Sequence, residues 1–391
     1  MDKKKKIAVI ASRFPYPLNK GDKLRLYHQI RYLSQYFEIH LHAINEENIS
    51  LSDQKIVRDF CASVTNYKLN TIQKAIGVGR SILKGEPIQV GYFFSSTIKN
   101  KIKKRLKNNA IDLVYCQLSR TAGYGLTFDG PVIFDYQDCF SKNYERAYKY
   151  ASGLKKWFYK REWKSMQHFE ERIHHDFVAK TIISDFDKDS LPFESDTVKV
   201  VPNGVDPNFY APRFEEKKID VLFSGNLNYQ PNADAALLII EKLYPLLKEN
   251  NKQIQIGIAG NTKNQKIIQA ANENIHIVTD VRDMREEYAK AKIYIAPLFT
   301  GAGLQNKLLE AMSMGIACIA TPISNLSLQA VPDKEILIAD SIEAFAHSIV
   351  QLLQQLTFRE QIAEAGQKFV HKNYSWDGAN EKLKCLMESY L

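Results

Sequence analysis

The stretch Phe299 to Gly315 reads FTGAGLQNKLLEAMSMG and sits between two apolar runs, KIYIAPL (292–298) and IACIAT (316–321). Its pattern is strand, glycine loop, helix, strand. Gly301 and Gly303 let the backbone turn tightly and leave N–H groups bare. Together with the dipole of the following helix, these make a place for a phosphate. Leu304, Leu308, Ala311 and Gly315 share one helical face, and Lys307, Glu310 and Met314 share another. The spacing predicts that a cation and a carboxylate face outward together, one turn apart. Lysine suits an anionic phosphate, and glutamate suits two neighbouring hydroxyls such as those of a ribose. The combination points to a nucleoside diphosphate. An ordinary solvated ion pair on an amphipathic helix would leave the same trace.

Short apolar or β-branched runs of the same kind recur on both sides. IAVIAS (7–12), EIHLHAI (38–44), IDLVYCQ (111–117), PVIFDY (131–136), KTIIS (180–184) and VKVVPN (198–203) form one series. IDVLFSG (219–225), QIQIGIAG (253–260), IHIVTD (275–280), KIYIAPL, IACIAT and EILIAD (335–340) form a second. Helical stretches lie between them, which predicts parallel sheets covered on both faces. The expected architecture is α/β, with two doubly wound Rossmann-like domains facing across a cleft. PNGVDPNFYAPRFEEKK (202–218), with three prolines and a glycine, reads as the hinge. The predicted division is therefore 1–201, 202–374, and a closing helix over 375–391 that packs back on the first domain. Ligands of open parallel sheets bind at the carboxyl ends of the strands.

Composition agrees with two ordinary globular cores: 391 residues, 45% hydrophobic and 25% charged. No apolar run approaches bilayer length and MDKKKKIAVIASRF lacks a signal-peptide core, so a cytoplasmic protein is expected. Five scattered cysteines argue for reduced thiols and against a zinc site. The net charge of +9 is uneven, since six of the twelve residues in IKNKIKKRLKNN (98–109) are basic. KYASGLKKWFYKREWK (149–164) mixes cations with Trp157, Phe158, Tyr159 and Trp163. Such mixtures suit peripheral contact with an anionic membrane. No nucleic-acid module is visible, and nucleic acid ranks below membrane. Solvated helix faces with the rings turned inward would explain either segment taken singly.

In order along the chain, PYPLNKGDKLR (15–25), SGNLNYQPNADA (224–235) and GAGLQNKLLEAMSMG (301–315) make it resemble the GT-B glycosyltransferases of the large family-four group, also called group 1. It is most similar to the bacterial sugar transferases of exopolysaccharide and cell-surface clusters, and the likeness runs nearly end to end. The resemblance implies a retaining transfer without essential metal or other cofactor. A nucleotide-diphosphate sugar would be the donor, held by the second domain, and a glycan or lipid-linked acceptor would be held by the first. It implies that Glu310 holds the donor ribose and that the backbone through Gly301, Gly303, Leu304, Gln305, Asn306 and Lys307 holds the diphosphate. Gly225 would keep the first strand's end clear for phosphate, Val281 and Arg282 would lie against the base, and Gly21, beside Asp22, would form the glycine turn of the first domain.

Two departures bear on the chemistry. The family's earlier glutamate is replaced by Ala302, and GNLNYQPN carries no arginine–lysine pair after its strand. Charge on the departing diphosphate must still be offset, which falls to Lys307, with Asn226 and Asn228 adding hydrogen bonds only. On the acceptor side the family places a polar residue after the strand equivalent to PVIFDY. Asp138 is the first candidate there and Asp135 the second, either to stabilise oxocarbenium-like charge or to orient the acceptor hydroxyl. Alternatively, one of them caps the helix near Ser141 or binds an arginine such as Arg25.

Other motifs carry less. Asp185, Asp187 and Asp189 begin like a calcium loop but lack its glycine and its final glutamate, and Ser184 reads better as a helix cap. His40 with His42 and His174 with His175 have no third ligand, so no metal is expected. A sugar-nucleotide epimerase of the same fold, or a donor-binding partner that has lost catalysis, are the competing readings.

Overall fold

Alternation along Lys6–Ala11 (β1) sets the first layer: Ile7, Val9 and Ala11 enter the core on one face of the sheet, Ala8 and Ile10 the core on the other. The computed structural model describes residues 4–299 and 303–391. They fall into two units, Met1–Pro202 with Trp376–Leu391, and Asn203–Ser375.

The first unit is built on β1, Glu38–Asn45 (β2), Ser63–Lys68 (β3), Leu113–Gln117 (β4), Val132–Gln137 (β5), Ala179–Ile182 (β6) and Val198–Val200 (β7). All pair in parallel, in the order β3-β2-β1-β4-β5-β6-β7. β3 was not anticipated, because SVTNYK has no apolar run. It is an edge strand, mostly half-buried, held to β2 by the register His40↔Ser63 and a 2.8 Å contact between His40 Nδ1 and Ser63 Oγ.

The last helix, Trp376–Glu388, belongs to this unit. Trp376 stacks on His28 at 4.5 Å, Tyr32 donates a 2.7 Å hydrogen bond to Glu381, and Leu383 and Met387 join the core of Ile30 and Leu33.

The second unit repeats the plan with Ile219–Ser224 (β8), Ile256–Ala259 (β9), Ile275–Val278 (β10), Ala291–Ala296 (β11), Ala317–Ala320 (β12) and Leu337–Ile338 (β13), ordered β10-β9-β8-β11-β12-β13. Its core gathers Val221, Ile256, Ile258, Ile293, Ile295 and Ile319 from the strands with Phe345, Ile349 and Leu352 from the helix Ile342–Gln354. In both sheets the chain works outward from its first strand, then returns to that strand's other side. The reversals fall between β1 and β4 and between β8 and β11, the positions where such sheets open a crevice at their carboxyl edge.

The two basic segments behave differently. The helix Ser96–Asn108 turns Ile98, Ile102 and Leu106 inward and shows solvent a charged face, so there the solvated-face reading holds. The helix Gly153–His174 leaves Leu154 and Trp157 outside. Among the described residues no helix is long and apolar enough to cross a membrane.

Candidate functional site

At the carboxyl edge of the second sheet, three loops knit together beside the β8/β11 reversal. Gly225 follows β8 and Gly260 follows β9, and they touch: a Cβ on Gly260 would stand 1.8 Å from the Gly225 carbonyl oxygen, at φ +147°. No side chain fits there. Asn228 donates to the Asn261 carbonyl at 3.1 Å and accepts from the Lys263 N–H at 3.2 Å, while Asn261 Oδ1 receives the Asp280 N–H at 3.0 Å. The Asn228 amide thus braces the neighbouring loop. Asn226 is exposed, its Oδ1 taking the Asn228 N–H at 3.1 Å. Val281 is half-buried and Arg282 exposed just beyond Asp280.

After β11 the chain reaches the opening stretch. Thr300, Gly301 and Ala302 lie outside the described residues, so the expectations for Gly301 and Ala302 have no structural counterpart. Gly303 has φ +124°, Leu304 is buried, and the helix Asn306–Ser313 begins after Gln305 with no side-chain cap. Its first N–H groups are therefore available to a ligand. Asn306 Oδ1 accepts from Asn203 Nδ2 at 3.0 Å.

Lys307 and Glu310 depart from the expected outward pair. Glu310 is only 5% exposed. Its Oε1 and Oε2 take the Lys307 ammonium at 3.0 and 2.8 Å, and Oε2 also accepts from the Tyr288 hydroxyl at 3.0 Å. Tyr210 bonds the same carboxylate, and burial followed by that charge raises its own phenol pKa. Tyr288 reaches Ser224 at 3.3 Å, and the Ser224 hydroxyl in turn donates to the Tyr294 hydroxyl at 3.4 Å. The glutamate is thus held by tyrosines from two separate segments, Tyr210 and Tyr288, while Lys307 keeps a partly exposed ammonium. Tyr210, Tyr288, Tyr294 and Gly260 were missed in the sequence. Only Gly260, at the end of an apolar run, carried a local signal.

In the first unit, Gly21 is exposed and opens the helix Gly21–Leu33 directly beyond the β1 loop. Asp22 is buried, ion-paired with Arg13, and its carbonyl accepts from Gln117 Nε2 at 3.1 Å. Asp135 is fully buried: Arg25 holds it through Nε at 2.8 Å and a terminal nitrogen at 3.1 Å, Tyr115 at 3.0 Å and Thr181 at 2.8 Å. Every lone-pair direction has a protein donor, so Asp135 is a structural anchor and its candidacy as an acceptor-side acid is withdrawn. Arg25 is indeed its partner.

Asp138, half-buried, faces a different environment. Burial, then the neighbouring Asp187, push its carboxyl up to about 7, against the pull of Arg25 and a 3.3 Å hydrogen bond from Gln137. It does not cap the following helix. Glu170 does that from a distance, receiving the N–H groups of Phe140 and Ser141 at 3.0 and 3.3 Å. Leu118, just past β4, and Gln137, the last residue of β5, both hold positive φ, +70° and +62°. Both lie at the carboxyl edge of the sheet, and backbone strain of this kind clusters at functional edges.

Residues 218–355 match the family described as glycosyl transferases group 1. The whole fold is shared with a sucrose-phosphate synthase from Thermosynechococcus elongatus, at TM-score 0.72 and 14% identity over 98% of each chain. It is shared equally with Anabaena HepE in complex with UDP-glucose, at TM-score 0.71 and 10% identity over 98% of this chain and 99% of that one. The fold is that of the GT-B proteins, and over most of its second unit the chain is similar to the glycosyl transferases of group 1. In sequence, the chain is 24% identical over 387 residues, 94% of its length and 96% of the relative's, to an uncharacterized 44.6 kDa protein in the cps region of Klebsiella pneumoniae.

Proposed function

We propose that this protein transfers a sugar from a nucleoside diphosphate donor to a hydroxyl of a glycan or lipid-linked acceptor, with retention, in the making of a cell-surface polysaccharide or glycolipid. The donor binds the second unit and the acceptor the first. One observation carries the reading: a buried, tyrosine-held glutamate and a partly exposed lysine stand one turn apart on a helix whose N-terminus opens beside the β8/β11 reversal. The fold neighbour that holds UDP-glucose supports a uridine diphosphate sugar. In this reading Glu310 takes the ribose hydroxyls. The helix N–H groups and Lys307 offset charge on the departing diphosphate, so no metal is called for. Asp138, whose carboxyl titrates near neutrality, orients the acceptor hydroxyl. The enzyme works in the cytoplasm as a peripheral protein at the inner face of the membrane.

Thermal unfolding with and without UDP-glucose tests the donor site. Lys307→Ala and Glu310→Gln should each weaken binding about ten- to a hundred-fold, as expected for loss of charge-assisted hydrogen bonds. An unchanged ligand-induced shift in both variants would sink the assignment.

A further inference from the structure

The helix Thr71–Lys84 buries Gly77 and Ser81 against Gly91, where an added Cβ on Gly91 would stand 2.0 Å from Ser81 Oγ. Its opposite side is apolar as well. Ile72, Ile76 and Leu83 are 70%, 67% and 89% exposed, and steps of four and seven residues place them on one outer stripe. The helix Gly153–His174 begins in the same way, with Leu154 89% and Trp157 68% exposed, Phe158 partly so, and Tyr150 outside just before them.

The two elements are joined. Arg161 and Arg172 bond the carbonyl and carboxylate of Glu86 at 3.2 and 3.0 Å, and Glu162 receives the Ile88 N–H at 2.9 Å. Leu154, Phe158, Arg161 and Arg172 recur at helical spacing, so the exposed first turns continue the side of the helix on which segment 84–88 rests. Lys84, Lys155, Lys156, Lys160 and Lys164 lie beside these apolar groups in the sequence, all exposed. The carboxylates of both stretches, Glu86 and Glu162, are already paired with arginines.

We propose that this face, made of the outer stripe of Thr71–Lys84 and the first turns of Gly153–His174, docks the protein on an anionic phospholipid bilayer. Charge and shape select that occupant. Separate aliphatic and aromatic side chains flanked by lysines that no carboxylate among the described residues neutralises suit insertion among anionic headgroups. A second copy would bring the same lysines against each other. The proposal rests on the peripheral-membrane part of the reading above and narrows it to one face. It excludes the basic helix Ser96–Asn108, which has nothing apolar to insert.

The test is co-sedimentation of the full chain with vesicles of phosphatidylcholine, alone or with about 30% phosphatidylglycerol. Wild type should bind the anionic vesicles and leave the neutral ones. The pairs I76E/L83E and L154E/W157E should each lower binding about ten-fold, and K101E/K103E on the other basic helix less than about two-fold. Trp157 is one of three tryptophans, and the blue shift of emission on vesicle addition should vanish in W157F. Undiminished binding by both apolar pairs, equal loss in K101E/K103E, or a wild-type dimer that the apolar pairs dissociate in light scattering would each overturn the proposal. The thermal shift with UDP-glucose should be intact in all these variants. Its absence in wild type would count against the donor reading and leave the docking face standing.

Discussion

Arg25 and Asp135 lie 110 positions apart and meet with no exposure to water. Removing one partner of such a pair strands the other, at about 3–5 kcal/mol. Asp135→Ala should therefore shift the urea unfolding midpoint of the first unit down sharply, and the double change Arg25→Met with Asp135→Leu should recover much of the loss. Asp138 behaves in the opposite sense. Its carboxyl keeps a proton up to about 7 in the folded chain, against an ordinary value of 3.8, so ionising it opposes folding. That penalty is absent below about pH 4, grows between pH 4 and 7, and is complete above. Asp138→Asn should melt higher than wild type at pH 8 and converge with it toward pH 4. If the carboxylate serves transfer, wild-type turnover should rise through pH 7 while the variant stays slow throughout. The sequence marked both acids as candidates because both end an apolar strand. Separating anchor from candidate needed Tyr115, Thr181 and Asp187, which no local pattern points to.

Among the elements, the loops at the carboxyl edge of the second sheet leave least room for change. Gly260→Ala would drive a methyl into the Gly225 carbonyl, so we expect about 1–3 kcal/mol lost from the second unit and a weakened shift with UDP-glucose. Gly79 offers the contrast. It lies exposed in the helix Thr71–Lys84 with open space where a Cβ would go, and Gly79→Ala should raise stability by about 0.4–1 kcal/mol in denaturant melts. The central strands were visible as apolar runs because they are buried on both faces, and the edge strands β7 and β10 were visible because they keep β-branched residues. β3 was invisible because an edge strand needs no such run. The helix after Gly303 was visible too, but the inward turn of Glu310 was not, since its tyrosine partners arrive from other segments.

At the scale of the molecule, the chain's last helix completes the first unit. A chain ending at Ser375 loses Trp376 from His28 and Leu383 and Met387 from the core. It should lose the first unit's cooperative melt, while the second unit still binds UDP-glucose. Trp376→Ala alone should lower that melt by an amount near 3 kcal/mol, as about 3–5 kcal/mol is usual for a buried tryptophan. A second unit that fails with the truncation would show that its fold depends on the first.

Two parallel sheets, their helices and the phosphate-type loop before Asn306 follow from the sequence by itself, because burial on both faces of a strand and periodicity along a helix are local properties of a chain. The tertiary structure alone decided which polar groups face one another. Arg25 claimed Asp135, Glu170 took the helix start that Asp138 was one candidate to cap, and Tyr210 and Tyr288 turned Glu310 inward. It also decided that one basic segment hides its apolar side while the other bares it. Each of these outcomes depends on partners tens of positions away, and local spacing carries no record of them.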